Sequence, residues 1–440
     1  MTDFVSQDFP PPASAANFEL ALRQGLGRAV LWLRSSAIAP DRDLIFQACR
    51  ENWAYDKQSE DNRALYMADV VRATGEPEFY VPRILETLVA RDAGNSFAQL
   101  FQLAGILASE HNDAREKLYE IFAEAPRENP RYMAQVLVDI DGLEGYLFAV
   151  RGWIREPYAD ADCLDAVHLL DDLETQFGAE TMAAFLADAS SLDPAITAYH
   201  DAVRERRKRW KSDLLSRPKR TEPTYEELNA MLDHPKFKSR GIWASRGRRM
   251  DDAAADRFAA DLLTEKNPDR LCRLLYLFGE YEFPSDPAPL FALSRSDNET
   301  VANAAAFALS ALTDPGVRAL GLSIMRGERA PWDGVRLLIY NFQHGDCAAI
   351  LHLLSQLTAA DEIHSLGFQI YDIFDENPVA EFSDALMRLY ERGMCSMCRS
   401  GVISRLATLG ALSETILTEG IYDASEETRR IIASAVTSPP

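Results

Sequence analysis

Apolar residues recur at helical spacing along almost the whole chain, and alternating apolar–polar runs long enough for a strand are absent. Leu164, Ala166, Val167, Leu169, Leu170, Leu173 and Phe177 share one broad arc of a helical wheel, with Asp165, His168 and Asp172 opposite. Breakers cut this pattern into helices of about three turns. In the last third they are Pro284, Pro287, Pro289, Asp314-Pro315, Gly327, Gly345, Asn377-Pro378 and Gly393. Thr224-Tyr-Glu-Glu227 has the spacing of a capping box, in which hydroxyl and carboxylate each satisfy a backbone amide that a helix start leaves open. It predicts a short helix ending before Pro235. The expected fold class is all-α.

Short helices joined by short turns make either a bundle or a solenoid, and repetition decides between them. From Asp297 the chain reads DNETVANAAAFALSAL, and Asp314-Pro-Gly-Val317-Arg318 directly opens another helix. An acid ahead of a Val-Arg pair, followed by small residues that let helices pack closely, resembles the helix starts of HEAT repeats. Ala302 departs from that pattern, standing where the first copy would carry arginine. A second echo links the chain ends: Tyr55-Asp56, Ser59-Glu60 and Arg63 match Tyr422-Asp423, Ser425-Glu426 and Arg429. Each arginine follows its turn acid closely enough to reach back to acids or carbonyls, as repeat framework. The resemblance covers roughly 285–437 well and roughly 17–200 weakly. It implies an α-α superhelix of the HEAT/armadillo type, an architecture that serves many unrelated functions.

Charge divides the chain more sharply than hydropathy does. Of 440 residues, 46 are basic and 68 acidic, a net charge of −22. Residues 1–203 carry −18 and residues 250–440 carry −13, whereas 204–249 carry +9. The division expected is therefore an N-terminal helical repeat region (1–215), a basic connecting segment (216–249) and a C-terminal HEAT-like region (250–440). Arg204, Arg206, Arg207, Lys208, Arg209 and Lys211 open this belt on a helix. Lys219 and Arg220 continue it through a proline-containing connection, and Lys236, Lys238, Arg240, Arg246, Arg248 and Arg249 close it, interleaved with Phe237 and Trp243. Cations that neutralise phosphates, beside rings that stack on bases, suit a nucleic acid. Neutralisation of the acidic flanks accounts for the same cations more simply, because a strongly acidic protein repels a polyanion everywhere else.

Motifs that carry chemistry are few. Cys395-Ser-Met-Cys398, with His344-Gly-Asp-Cys347 upstream, offers soft ligands for zinc or a redox-active thiol pair. The two pairs lie 51 residues apart, more than one repeat, so structural cysteines are the simpler expectation. Asp165, His168 and Asp172 share a face suited to a metal, but that face is the solvated one. Gly25-Leu-Gly27-Arg28 lacks the preceding strand and third glycine of a dinucleotide loop. No P-loop, nucleophile elbow or HExxH is present, His364 shows no positioned partner, and no catalytic residue or cofactor is expected. The longest uncharged stretch, Ala93–Ser109, is shorter than the ~20 residues of a bilayer crossing, and the N-terminus has acids and prolines where a signal peptide needs a basic end. Six scattered cysteines fit a reducing, cytoplasmic setting. The expected function is a non-catalytic scaffold that binds a protein, with nucleic-acid binding through the belt second and a zinc or thiol sensor at Cys395 and Cys398 third.

Overall fold

A computed structural model describes residues 15–36, 41–60, 62–90, 96–126, 130–155, 162–216, 222–234, 236–237, 239–327 and 331–437. These residues form 26 α-helices and no strand, as the periodicity predicts. No described helix is long and apolar enough to cross a membrane. Local signals sit where expected. Thr224 Oγ1 accepts from the Glu227 amide and the Glu227 carboxylate accepts from the Thr224 amide, opening the helix Tyr225–Leu232. Asn298 caps Glu299–Leu309, and Asp314 caps Pro315–Met325 through the Gly316 amide.

The chain divides into two compact units. One comprises residues 1–218, 394–397 and 413–440; the other comprises 219–393 and 398–412. In the first unit, each helix of one series packs on the next: Arg28–Ser35, Ala64–Ala73, Phe97–Leu107, Pro130–Asp141, Asp162–Phe177 and Pro194–Ser216. The intervening helices Arg42–Arg50, Pro77–Val89, Asn112–Glu124 and Leu143–Trp153 form a second such series. Adjacent chain segments thus alternate between two layers, and the apolar arc of each helix is buried between them.

The C-terminal helices belong to this same unit, and a buried ion pair fastens them. Arg28, at the start of its helix, donates from Nε (2.8 Å) and Nη2 (2.7 Å) to the two carboxylate oxygens of Glu419. Their side chains are 7% and 1% exposed. Glycine makes the approach feasible. A Cβ on Gly27 would lie 1.8 Å from the Glu419 carbonyl oxygen, and Gly25, at φ +72°, accepts from the Ala424 amide at 2.8 Å. The Gly25-Leu-Gly27 spacing therefore serves a helix contact. The paired echo is framework as expected: Arg429 donates to the Asp423 carbonyl (2.5 Å) and to Asp69 (2.8 Å), while Arg63 donates to the Arg23 carbonyl (2.5 Å).

The second unit repeats the ladder with Arg240–Gly247, Pro268–Leu277, Glu299–Leu309, Trp332–Arg336 and Ala360–Glu376, each packed on the next. Ala304, Ala305 and Ala308 are fully or nearly fully buried, so the small residues of Glu299–Leu309 admit helices on several sides. Trp243, Phe258, Leu274, Leu277 and Phe278 fill the core around them.

Two consequences are measurable. Glu419→Ala leaves the Arg28 guanidinium buried without its carboxylate, a loss of about 3–5 kcal/mol. Amides of residues 414–437 are then expected to exchange hydrogen about a hundred-fold faster or more, read by mass spectrometry. His200, buried against Tyr146 and Tyr199, finds no hydrogen bond for either ring nitrogen. Burial, with the Arg204 charge nearby, lowers its pKa to about 4. The unfolded chain therefore binds more protons between about 6.5 and 4, so stability is full above that window and falls as pH drops through it. Wild type is expected to lose on the order of 3 kcal/mol more than His200→Leu across this range, measured by urea unfolding followed by circular dichroism.

Candidate functional sites

The basic belt is shared between the units, and much of it is engaged by acids of its own unit. On Pro194–Ser216, Arg207 pairs with Asp171 and, at 2.7 Å, with Glu174. Lys208 pairs with Glu205 at 2.6 Å, and Arg204 with Asp201 at 3.8 Å. In the second unit Arg248 pairs with Glu280, and Arg240 stands 3.9 Å from Asp333. Arg246 lies over the Phe237 ring at 5.2 Å, and Arg249 donates to the Ser245 carbonyl. Arg209, Lys211 and Lys236 are exposed and Arg206 is partly buried; none of the four forms an ion pair among the described residues. Trp243 is 0% exposed, and its indole N–H donates to the Phe237 carbonyl at 3.0 Å, so the ring is core. Lys219, Arg220 and Lys238 lie outside the described residues.

A second cluster emerges only from the packed second unit. Phe307, in Glu299–Leu309, has the Arg240 guanidinium 4.9 Å from its ring centroid and that of Arg336 at 4.6 Å. Arg336 also donates to Ser310 Oγ at 3.2 Å. Asp333 and Arg336 share the short helix Trp332–Arg336, and Asp372 comes from Ala360–Glu376. Burial raises the pKa of Asp333 and of Asp372 and lowers that of Arg336; the neighbouring arginines oppose the rise at both acids. Tyr340 stands beside them, 49% exposed. Charged groups in partly desolvated positions with shifted pKa values are a feature that recognition surfaces share with structural ion-pair networks. Of this group the sequence pointed only to Arg240. Phe307, Asp333, Arg336 and Asp372 arrive from three further helices, and only the Asp333/Arg336 spacing left a local trace.

The cysteines separate into two kinds. Cys49, Cys272 and Cys347 are buried, and burial pushes their thiols above the ordinary range, which marks them as inert packing groups. His344 pairs with Glu381 at 2.9 Å. Cys398, in the helix Ser396–Thr408, has its Sγ 3.5 Å from His364 Nδ1. The sequence showed no positioned partner for His364, because Cys398 reaches it from another helix. Asp165, His168 and Asp172 do not assemble among the described residues: Asp172 pairs with Arg131 at 2.7 Å, and His168 meets the Trp210 ring edge-on at 5.4 Å.

Comparison with protein-family models, with curated proteins and with solved structures finds no match for this chain.

The charged row allows a direct check. Because burial disfavours the ionised Asp333 side chain, and its contact with the half-exposed Arg240 is long, the charge costs the fold more than it returns. Asp333→Asn is expected to raise the unfolding temperature of the protein at neutral pH, read by differential scanning calorimetry, with a smaller rise at pH 4.

Proposed function

We propose that each unit is a run of HEAT-like α-α repeats and that the protein is a non-catalytic scaffold of a reducing, cytoplasmic setting. It binds a protein partner over the face that carries Arg240, Phe307, Arg336 and Asp372. The alternating layers support the repeat reading, since each helix packs on its counterpart two places along. The observation that carries the function is the partly buried charged row around Phe307. Successive helices of one layer supply it, as an extended recognition surface requires, and its desolvated charges are maintained at a cost to folding.

The signs of those charges favour a protein over a nucleic acid. Asp333, Asp372 and Glu280 stand among Arg240, Arg248 and Arg336, so a polyphosphate meets repulsion as well as attraction. A polypeptide carries both signs and can complement both. The belt adds little net positive field where its cations already neutralise Asp171, Glu174, Glu205 and Glu280.

Replacing Tyr340 with a photo-crosslinking amino acid in the native cell tests this directly. The expected outcome is a protein adduct that forms from position 340 but not from the equally accessible control position Tyr132, and that falls at least tenfold with Arg336→Ala. Nuclease-sensitive adducts, or equal yields from both positions, would refute the assignment. Salt-steep binding of labelled RNA or DNA, lost in Arg209→Glu/Lys211→Glu, would shift the function to nucleic acid.

A further inference from the structure

We propose that Cys398 and His364 form a thiol–imidazole pair that takes up a low-molecular-weight disulfide, such as oxidised glutathione, as a reversible mixed disulfide on Cys398. Both residues belong to the second unit. The inference is independent of the scaffold reading, because the reaction is measured without any partner. Its first support is geometry. Sγ of Cys398 and Nδ1 of His364 stand 3.5 Å apart, a hydrogen-bonding distance for sulfur. A nucleophile within reach of a base is the arrangement that thiol chemistry uses.

The second support is access. Of the five described cysteines, Cys49, Cys272, Cys347 and Cys395 are buried, and Cys398 alone is partly exposed. A thiol shut away from reagents in apolar surroundings is inert, and burial raises the thiols of Cys49, Cys272 and Cys347 above the ordinary range. His364 is partly exposed as well. The Phe368 ring against it is 48% exposed, so the pair lies on a solvent-facing side of Ala360–Glu376.

The surroundings hold the two groups together. Tyr371, two turns beyond His364 on the same helix, donates its hydroxyl to the Cys398 carbonyl at 2.9 Å. Farther along, Arg405 donates to Asp375 at 3.0 Å and lies 4.3 Å over the Tyr371 ring, so Ala360–Glu376 is braced against the Cys398 helix at two levels. The Phe368 ring meets His364 edge-on at 4.9 Å and restricts its rotation. With the ring proton on Nε2, Nδ1 accepts the Cys398 proton as Sγ attacks one sulfur of the disulfide. A sulfur–sulfur bond forms to Cys398, the bond within the reagent breaks, and its second sulfur leaves as a thiolate that takes the proton from the imidazole. The Cys398 sulfur is oxidised, the departing sulfur is reduced to a thiol, and excess thiol reverses the step.

The test is reaction of the reduced full chain with oxidised glutathione at neutral pH, with uptake at each cysteine followed by alkylation and peptide mass spectrometry. The expected result is one glutathionyl adduct per chain, at Cys398. It forms at least tenfold faster than at Cys272 or Cys347, and at least tenfold faster than at Cys398 of the urea-unfolded chain. His364→Ala slows the Cys398 reaction at least tenfold while leaving uptake at Cys272 and the circular dichroism unchanged. If that variant fails to fold, the comparison of folded with urea-unfolded wild type still decides the matter. Reaction of Cys398 no faster than in the unfolded chain, a rate indifferent to a folded His364→Ala, or first uptake at another cysteine would overturn the site and leave an ordinary thiol–imidazole hydrogen bond.

Discussion

A single buried ion pair, Arg28 with Glu419, sets the condition for the unit it sits in. Two charges withdrawn from water are tolerated only when geometry and hydrogen bonding are close to ideal, and this pair meets that requirement with two donors on two oxygens. The partners are separated by 391 positions, so this pair ties the C-terminal helices to the start of the same unit. The glycines at 25 and 27 are subordinate to the same contact. Any side chain at 27 would displace the Glu419 backbone, whose side chain holds the guanidinium. Arg429 reaching Asp69 reinforces the docking from the next helix.

The second unit solves packing differently. Its central helix, Glu299–Leu309, is lined with alanines that permit close approach, and large residues such as Trp243, Phe258 and Phe278 fill the space around it. Against this apolar interior, the row of Arg240, Phe307, Arg336, Asp333 and Asp372 stands out as polar material kept in poorly solvated positions. Stability alone would replace it. That contrast between a core built for density and a face built at its expense is the main physical reason for assigning recognition to that face.

Charge deserves a different weight from the one its distribution first suggests. A basic segment between acidic halves invites a polyanion, yet Arg207, Lys208 and Arg248 are matched to carboxylates of their own units. Their cost of desolvation is offset locally, and the far field they project is small.

What the sequence determined by itself is local. Helical periodicity, the Thr224 capping box, the Asp314 start and the framework arginines Arg63, against Glu60, and Arg429, against Asp423, follow from residues a few positions apart, where backbone geometry fixes which side chains meet. The tertiary structure alone decided that His364 meets Cys398, that Trp243 is core, and that Arg240 and Arg336 flank one ring. It also decided that Arg28 meets Glu419 across nearly the whole chain. These are contacts between helices whose relative register depends on how dozens of side chains interdigitate at once. Periodicity says which face of a helix turns inward, but the neighbour that face meets is chosen by packing, and so is the chemistry that results.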